Sequence, residues 1–367
     1  VFSIFKAYLQ IHNHFIVSIF HSVVMNSILI LAMFLGRGGD ITLLGVGILF
    51  AFTFQFIFFL PYIKKSGFHF RLKAYKENEG LKKLLILILP IFISTSVLEI
   101  NNIVSKSLAS TIVETGVPVI NYATKIQGFV TGIVVTSIIT VIYPQMAKLV
   151  EEEAGEELAH VFGRSLSLMA ALILPATVGV VAFHEEIVRL LFQGGAFSAE
   201  DVAVTGKVLL YYGLGFLAIG LREIGIRIFY SKKKAAVPVI NSVYMVVINI
   251  ALNIILGKIF GLKGLAMGTL IALWVGGVGM LLHLKKSMST LGIGAYGKNM
   301  AKILLASVAM GLAAKFAEGL LLGRLSPNIS LLMAMAVGAA VYALLALLMG
   351  FEELEAVKSF ITKKKQR

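Results

Sequence analysis

The chain has 367 residues, 58% hydrophobic and 14% charged, with a mean hydropathy of +0.91. That composition excludes a water-soluble domain, in which about a quarter of the residues are charged. Its 33 Lys and Arg against 19 Asp and Glu give a net charge of +14, which in a membrane protein marks the cytoplasmic side rather than a nucleic-acid surface. There is no cysteine, so disulfides, thiolate nucleophiles, Cys-based zinc sites and iron–sulfur clusters are ruled out.

A bilayer core about 30 Å thick requires roughly 20 apolar helical residues. Val1 lies inside an apolar stretch, without an initiator Met or a basic signal region, so residues 1–11 read as the end of a helix that continues upstream. Ten segments then meet the length test: about 15–35, 41–61, 84–109, 117–146, 165–188, 203–230, 236–256, 262–284, 299–322 and 328–350. The fold expected is an all-α, polytopic helical bundle.

Short polar turns separate the spans, so alternate turns share a side of the membrane. Turns 62–83, 146–164, 229–238 and 284–302, with the tail from 351, hold 21 Lys and Arg; the other set holds 5. The positive-inside rule places the first set, and the C-terminus, in the cytoplasm. Residues 62–83 carry seven of these charges and read as a basic linker between two lobes. The run Glu151-Glu152-Glu153 with Glu156 and Glu157 reads as the solvated face of a short interfacial helix.

Seven basic residues fall within or at the ends of apolar segments. A charge near the bilayer centre costs about 2.5–3.5 kcal/mol even on insertion scales, so it needs a partner or a watery cavity. Lys6, Lys207 and Arg227 are close enough to helix ends to snorkel. Lys106, Lys125 and Arg222 have polar company instead. Lys106 shares a helix face with Glu99 and Asn102, and Ser105 adjoins it. Either these groups pair between helices, or they form a cationic lining for an anionic substrate. Asn249 and Asn253 lie i,i+4 on one face, opposite Thr269 if the two spans pack antiparallel, a spacing that ties helices together or binds an ion.

Other motifs carry no chemistry. Gly292, Gly294 and Gly297 match GxGxxG but lie between membrane helices with no strand before them, which argues against a dinucleotide site. The seven histidines form no ligand cluster. No cofactor is expected, and the short loops contain no carboxylate and histidine cluster of the kind a polyprenyl-lipid enzyme would need.

Several stretches together resemble the MurJ (MviN) family of lipid II flippases, within the multidrug/oligosaccharidyl-lipid/polysaccharide exporter superfamily. They are Gly116 with Asn121-Tyr122-Ala123-Thr124-Lys125, then Tyr143-Pro144, then Leu191-Phe192-Gln193-Gly194-Gly195-Ala196-Phe197, and finally Phe229-Tyr230-Ser231 with Val237-Pro238-Val239. The resemblance implies a MATE-like bundle of two lobes around a cationic cavity. Residues 1–61 would end the N-terminal lobe, 62–83 would be the linker and 84–284 the C-terminal lobe of six spans. Residues 299–350 would add a helix pair forming a groove for the lipid tail, and 351–367 a basic tail. It further implies that helices upstream of Val1 complete the cavity.

By the same resemblance Lys125 stands where the family usually has an essential cavity arginine, and Lys106 where it often has a basic residue. Lys125, Lys106, Arg222, Glu99 and Asn102 are therefore the expected substrate-binding residues. Asn249, Asn253, Thr269 and Ser105 resemble a sodium site of some members, although two of its carboxylates stand here as Asn253 and Ser105. The expected function is alternating-access translocation of lipid II, a polyprenyl-pyrophosphate-linked disaccharide pentapeptide. It would run from the inner to the outer leaflet of the bacterial cytoplasmic membrane, coupled to Na⁺ or the membrane potential. The alternatives are another lipid-linked oligosaccharide or drug exporter of the superfamily, or a membrane-embedded polyprenyl-lipid enzyme.

Overall fold

The structure, a computed structural model, describes residues 2–12, 14–36, 39, 41–67, 79–288 and 297–351. Most of the basic linker, the 292–297 glycine motif except Gly297, and the basic tail from 352 lie outside the described residues. Among the described residues all regular structure is helical. The helices are α1 (Phe2–Ile11), α2 (Phe15–Leu35), α3 (Ile41–Lys65), α4 (Glu79–Ile112), α5 (Gly116–Glu151), α6 (Gly155–Phe192), α7 (Ala199–Leu214), α8 (Phe216–Ser231), α9 (Ala236–Phe260), α10 (Leu262–Ser287), α11 (Gly297–Leu321) and α12 (Pro327–Leu348). The chain divides into two compact units, Val1–Glu79 and Gly80–Arg367.

Each of the ten predicted segments falls on one of these helices or, once, on a bent pair. Seven helices (α3, α5, α6 and α9 to α12) are long and apolar enough to cross a bilayer. The segment predicted as one straight span, 203–230, is instead α7 and α8, bent by 43° across Gly215. Such a break frees backbone carbonyls that hydrocarbon cannot satisfy. Here Thr177 Oγ1 donates to the carbonyl of Gly213 at 3.3 Å, and the Trp274 indole donates to that of Leu214 at 3.1 Å.

In the first unit α1, α2 and α3 pack around Phe5, Leu9, Phe59 and Ile63, and His21 is buried beside the rings of Phe2 and Phe59. The second unit centres on α6. Met169 and Ile173 meet Phe216 and Leu221 of α8 and Leu209 of α7 in one core. Glycines permit the closest crossings: a Cβ on Gly225 of α8 would collide with Met280 of α10, and one on Gly220 with Met169. Helices α11 and α12 pack as a pair against α6. Asn299 donates to Ser167, and the Tyr342 hydroxyl donates to the Ala171 carbonyl at 2.6 Å.

Turns at one end of this unit meet one another. The α5–α6 turn and the α8–α9 turn line one recess, and Lys232 of the latter reaches Ser287 at the end of α10. At the opposite end Ile112 packs near Gly257 and Gly261. Lys315 bridges Glu186 of α6 and Glu318 of its own helix at 2.7 and 2.8 Å.

Candidate functional site

Three of the sequence stretches singled out above meet on α5. Gln193 ends α6, and Gly194 and Gly195 adopt φ of 148° and 58°, backbone that glycine reaches at least cost. A tight turn results, with mutual backbone hydrogen bonds between Gly194 and Phe197. Ser198 and Asp201 then cap α7 reciprocally. The turn presents Phe192 and Phe197 to Tyr122, with ring centroids 4.5 and 5.2 Å away. The Lys125 ammonium lies 5.5 Å from the Tyr122 ring on its side, within reach of a cation–π attraction.

Lys125 is exposed and heads a stripe along α5. At 100° per residue Lys125, Gly132, Thr136 and Tyr143 fall within roughly 20° of one line. From Gly128 to Pro144 this stripe forms one wall of a cleft of about 560 Å³, and Ile219, Glu223 and Arg227 of α8 form the other. Gly128 and Gly132 leave open space where a side chain would stand. Thr131 and Thr140 donate their hydroxyl protons to the carbonyls of Gln127 and Thr136, so their oxygens face the cleft as acceptors.

Arg227 is the cleft residue that helix-end reasoning discounted. Helix α8 ends at Ser231, about one turn beyond Arg227, and Arg227 lines the cleft opposite α5. Its Nη2 lies 3.7 Å from Glu223 Oε2, and its buried Nε has no hydrogen-bond partner. The cue available in the sequence was the i,i+4 spacing of Glu223 and Arg227.

Arg222 is placed differently. It is 7% exposed; its Nε donates to Asn241 Oδ1 at 2.8 Å and its Nη2 to Ser242 Oγ at 2.6 Å. Asn241 passes the network on to the Tyr244 hydroxyl and the Gly276 carbonyl. Arg222 thus ties α8 to α9 and α10, with Glu223 only loosely engaged at 3.8 Å.

On α4, Ser105 accepts from Asn253 of α9 at 3.1 Å, which fixes the packed face. Glu99, Asn102 and Lys106 lie roughly 60–120° around the helix from it, and all three are exposed. Among the described residues none of them forms an ion pair or side-chain hydrogen bond.

Asn253 also donates to Asn249 Oδ1 at 2.9 Å, while Thr269 donates to the Leu265 carbonyl of its own helix. The amide thus engages one lone pair on each of the Ser105 and Asn249 oxygens that a cation would need. The Asn253 Oδ1 is left as a free buried acceptor, and no carboxylate belongs to the set. These four residues do not fit a sodium ion; they fit an interhelical clasp. Among the described residues no group of three His, Cys, Asp or Glu could hold a metal.

Long apolar helices, a broken span with capped carbonyls and a cleft edged by cations define a polytopic α-helical membrane protein. Residues 1–336 match the family model for the lipid II flippase MurJ, and the chain belongs to that family. It is 28% identical over 270 residues to a Rickettsia prowazekii protein described as "Probable lipid II flippase MurJ", covering 73% of this chain and 53% of that one. A Rhizobium tropici protein of the same description is 26% identical over 307 residues, with coverages of 82% and 57%. The chain therefore spans just over half the length of these relatives. Its fold matches a solved structure described as "Lipid II flippase MurJ, inward closed conformation", with a TM-score of 0.76 at 24% identity, over 95% of this chain and 70% of that one.

Proposed function

We propose that this chain supplies the larger part of a flippase that carries lipid II from the inner to the outer leaflet of the bacterial cytoplasmic membrane by alternating access. The observation that carries the reading is the cleft between α5 and α8, with Arg227 in its α8 wall and the exposed Lys125 one turn of α5 before the first cleft residue, Gly128. A pyrophosphate dianion entering a low-dielectric layer needs opposite charge close by. Lys125 supplies a point charge on a flexible stem, and Arg227 supplies the planar fork that matches phosphate oxygens. The threonine oxygens along α5 suit sugar hydroxyls, and the polyprenyl tail stays in apolar surroundings along the α11–α12 side.

Lys106, with Glu99 and Asn102, belongs to this reading as an exposed polar stripe on α4. Arg222 belongs to it as the anchor that holds α8, and hence Arg227, in place. No step runs through sodium. Moving one charge across 100 mV is worth about 2.3 kcal/mol, so the membrane potential is the proposed drive, with the basic turns and the C-terminus cytoplasmic. The test is reconstitution of the full-length protein with labelled lipid II in sealed vesicles. Translocation of the intact lipid is expected; covalent conversion of the label would overturn the reading in favour of an enzyme, and transport of an unrelated drug alone in favour of another exporter.

A further inference from the structure

A second recess, of about 360 Å³, lies between the α5–α6 and α8–α9 turns, five residues beyond the cleft along both α5 and α8. Leu149, Val150 and Leu158 form its apolar wall, and Lys232, Lys234 and Glu153 its polar edge. Among the described residues neither lysine forms an ion pair. The Lys232 ammonium has only a long hydrogen bond, 3.5 Å, to Ser287 Oγ. Burial, and then the neighbouring Lys234, lower the pKa of Lys232 below the ordinary lysine value, as expected of two like charges short of a counter-ion.

Both turns are also shaped alike. The Ala154 N–H returns to the Leu149 carbonyl and the Lys234 N–H to the Phe229 carbonyl, the long-range bond of a left-handed helix cap. In each the residue just before is left-handed without being glycine: Glu153 and Lys233 have φ of 55°. A side chain held there is strained, and strained positions of this kind cluster at binding sites.

We infer that this recess is an anion site for a phosphate group, with Lys232 and Lys234 as the cationic ligands. Of the groups that line the recess itself, two are ammonium and one is a carboxylate, while the other glutamates of the α5–α6 turn, Glu151, Glu152, Glu156 and Glu157, do not line it. The apolar wall beside them suits the glycerol backbone and first methylenes of an anionic phospholipid, and Glu153 suits a hydroxylated head group as acceptor. The same chemistry would hold free inorganic phosphate. The site stands independently of the flippase reading, because binding here requires no transport.

The test uses the purified full-length protein and native mass spectrometry with phosphatidylglycerol, phosphatidylcholine and inorganic phosphate as probes. The double variant Lys232→Gln/Lys234→Gln is compared with Lys285→Gln/Lys286→Gln, which removes two exposed charges from the end of α10. Expected is a several-fold loss of phosphatidylglycerol binding in the first variant and little loss in the second, with equal thermal stability of both. Displacement by inorganic phosphate would identify free phosphate as the ligand, and retention of the lipid in its presence would identify the phospholipid. Equal losses in the two variants, or none, would overturn the site, since diffuse charge attraction would then account for any binding.

Discussion

The ring of Tyr122 meets Phe197 nearly edge-on, at 83° with centroids 5.2 Å apart. The contact joins the middle of the sequence stretch that ends in Lys125 to the turn after α6. Lys125, exposed on α5, is thereby given an aromatic neighbour that the turn after α6 holds in place.

Lys125→Ala should abolish complementation of a flippase-depleted bacterium by the full-length gene, while Lys125→Arg should preserve it. The charge is required at the cleft mouth, and arginine restores a fork as well as a charge. Wild-type growth with the alanine variant would remove Lys125 from the mechanism.

Gly132→Leu is expected to fill the cleft without disturbing the fold. A Cβ at Gly132 meets no atom within 4 Å, and leucine is the better helix former by somewhat under 1 kcal/mol. Translocation should fall at least tenfold with the melting temperature unchanged or raised; unimpaired transport would show that the substrate does not use this cleft.

Asn241→Leu should destabilise the protein by about 2–3 kcal/mol, since it strips a charged, buried donor of its acceptor. Arg222 Nε would be left facing leucine, and the Gly276 carbonyl would lose its donor. Thermal unfolding in detergent measures the effect. Because Arg222 acts as an anchor, substrate affinity per folded molecule should change less than that of Arg227→Gln.

Lys315→Met leaves the buried carboxylate of Glu318 and that of Glu186 without their shared cation. A loss of about 2 kcal/mol is expected, less than for a fully buried pair because the lysine is partly exposed. Pairing the substitution with Glu318→Gln should recover part of it, a coupling that a double-mutant cycle reads directly.

Replacing Na⁺ by K⁺ should leave the melting temperature unchanged, because the Asn253 amide already engages a lone pair on each of the Asn249 and Ser105 oxygens. A sodium-dependent rise would show that the clasp rearranges into a cation site.

The helices were legible because membrane spans are long apolar runs; Lys125 drew notice because an embedded charge with polar neighbours is costly, and the structure places it on an exposed face of α5 beside Tyr122. The break at Gly215 was not legible, since the apolar run over 203–230 has the length of a single span and a glycine alone does not mark where a helix bends. The partners of Arg222 and the cleft position of Arg227 were hidden for a related reason. Distance from a helix end can be judged along one helix, whereas the partners that absorb Arg222 sit on α9, 19 and 20 residues away. Likewise, the spacing of Asn249 and Asn253 predicted a shared face correctly but could not reveal that one amide donates to the other's oxygen. The lysine recess was hidden altogether, because it joins two turns about 80 residues apart whose charges each read as ordinary inside-positive residues.

Because the backbone ladder is already interrupted at Leu214, a change in the angle between α7 and α8 severs no regular turn of helix. Thr177 and Trp274 hold the two exposed carbonyls from neighbouring helices. The break therefore lets α8 run in a direction of its own, fixed by Arg222 against α9, and that direction carries Glu223 and Arg227 into the wall opposite α5.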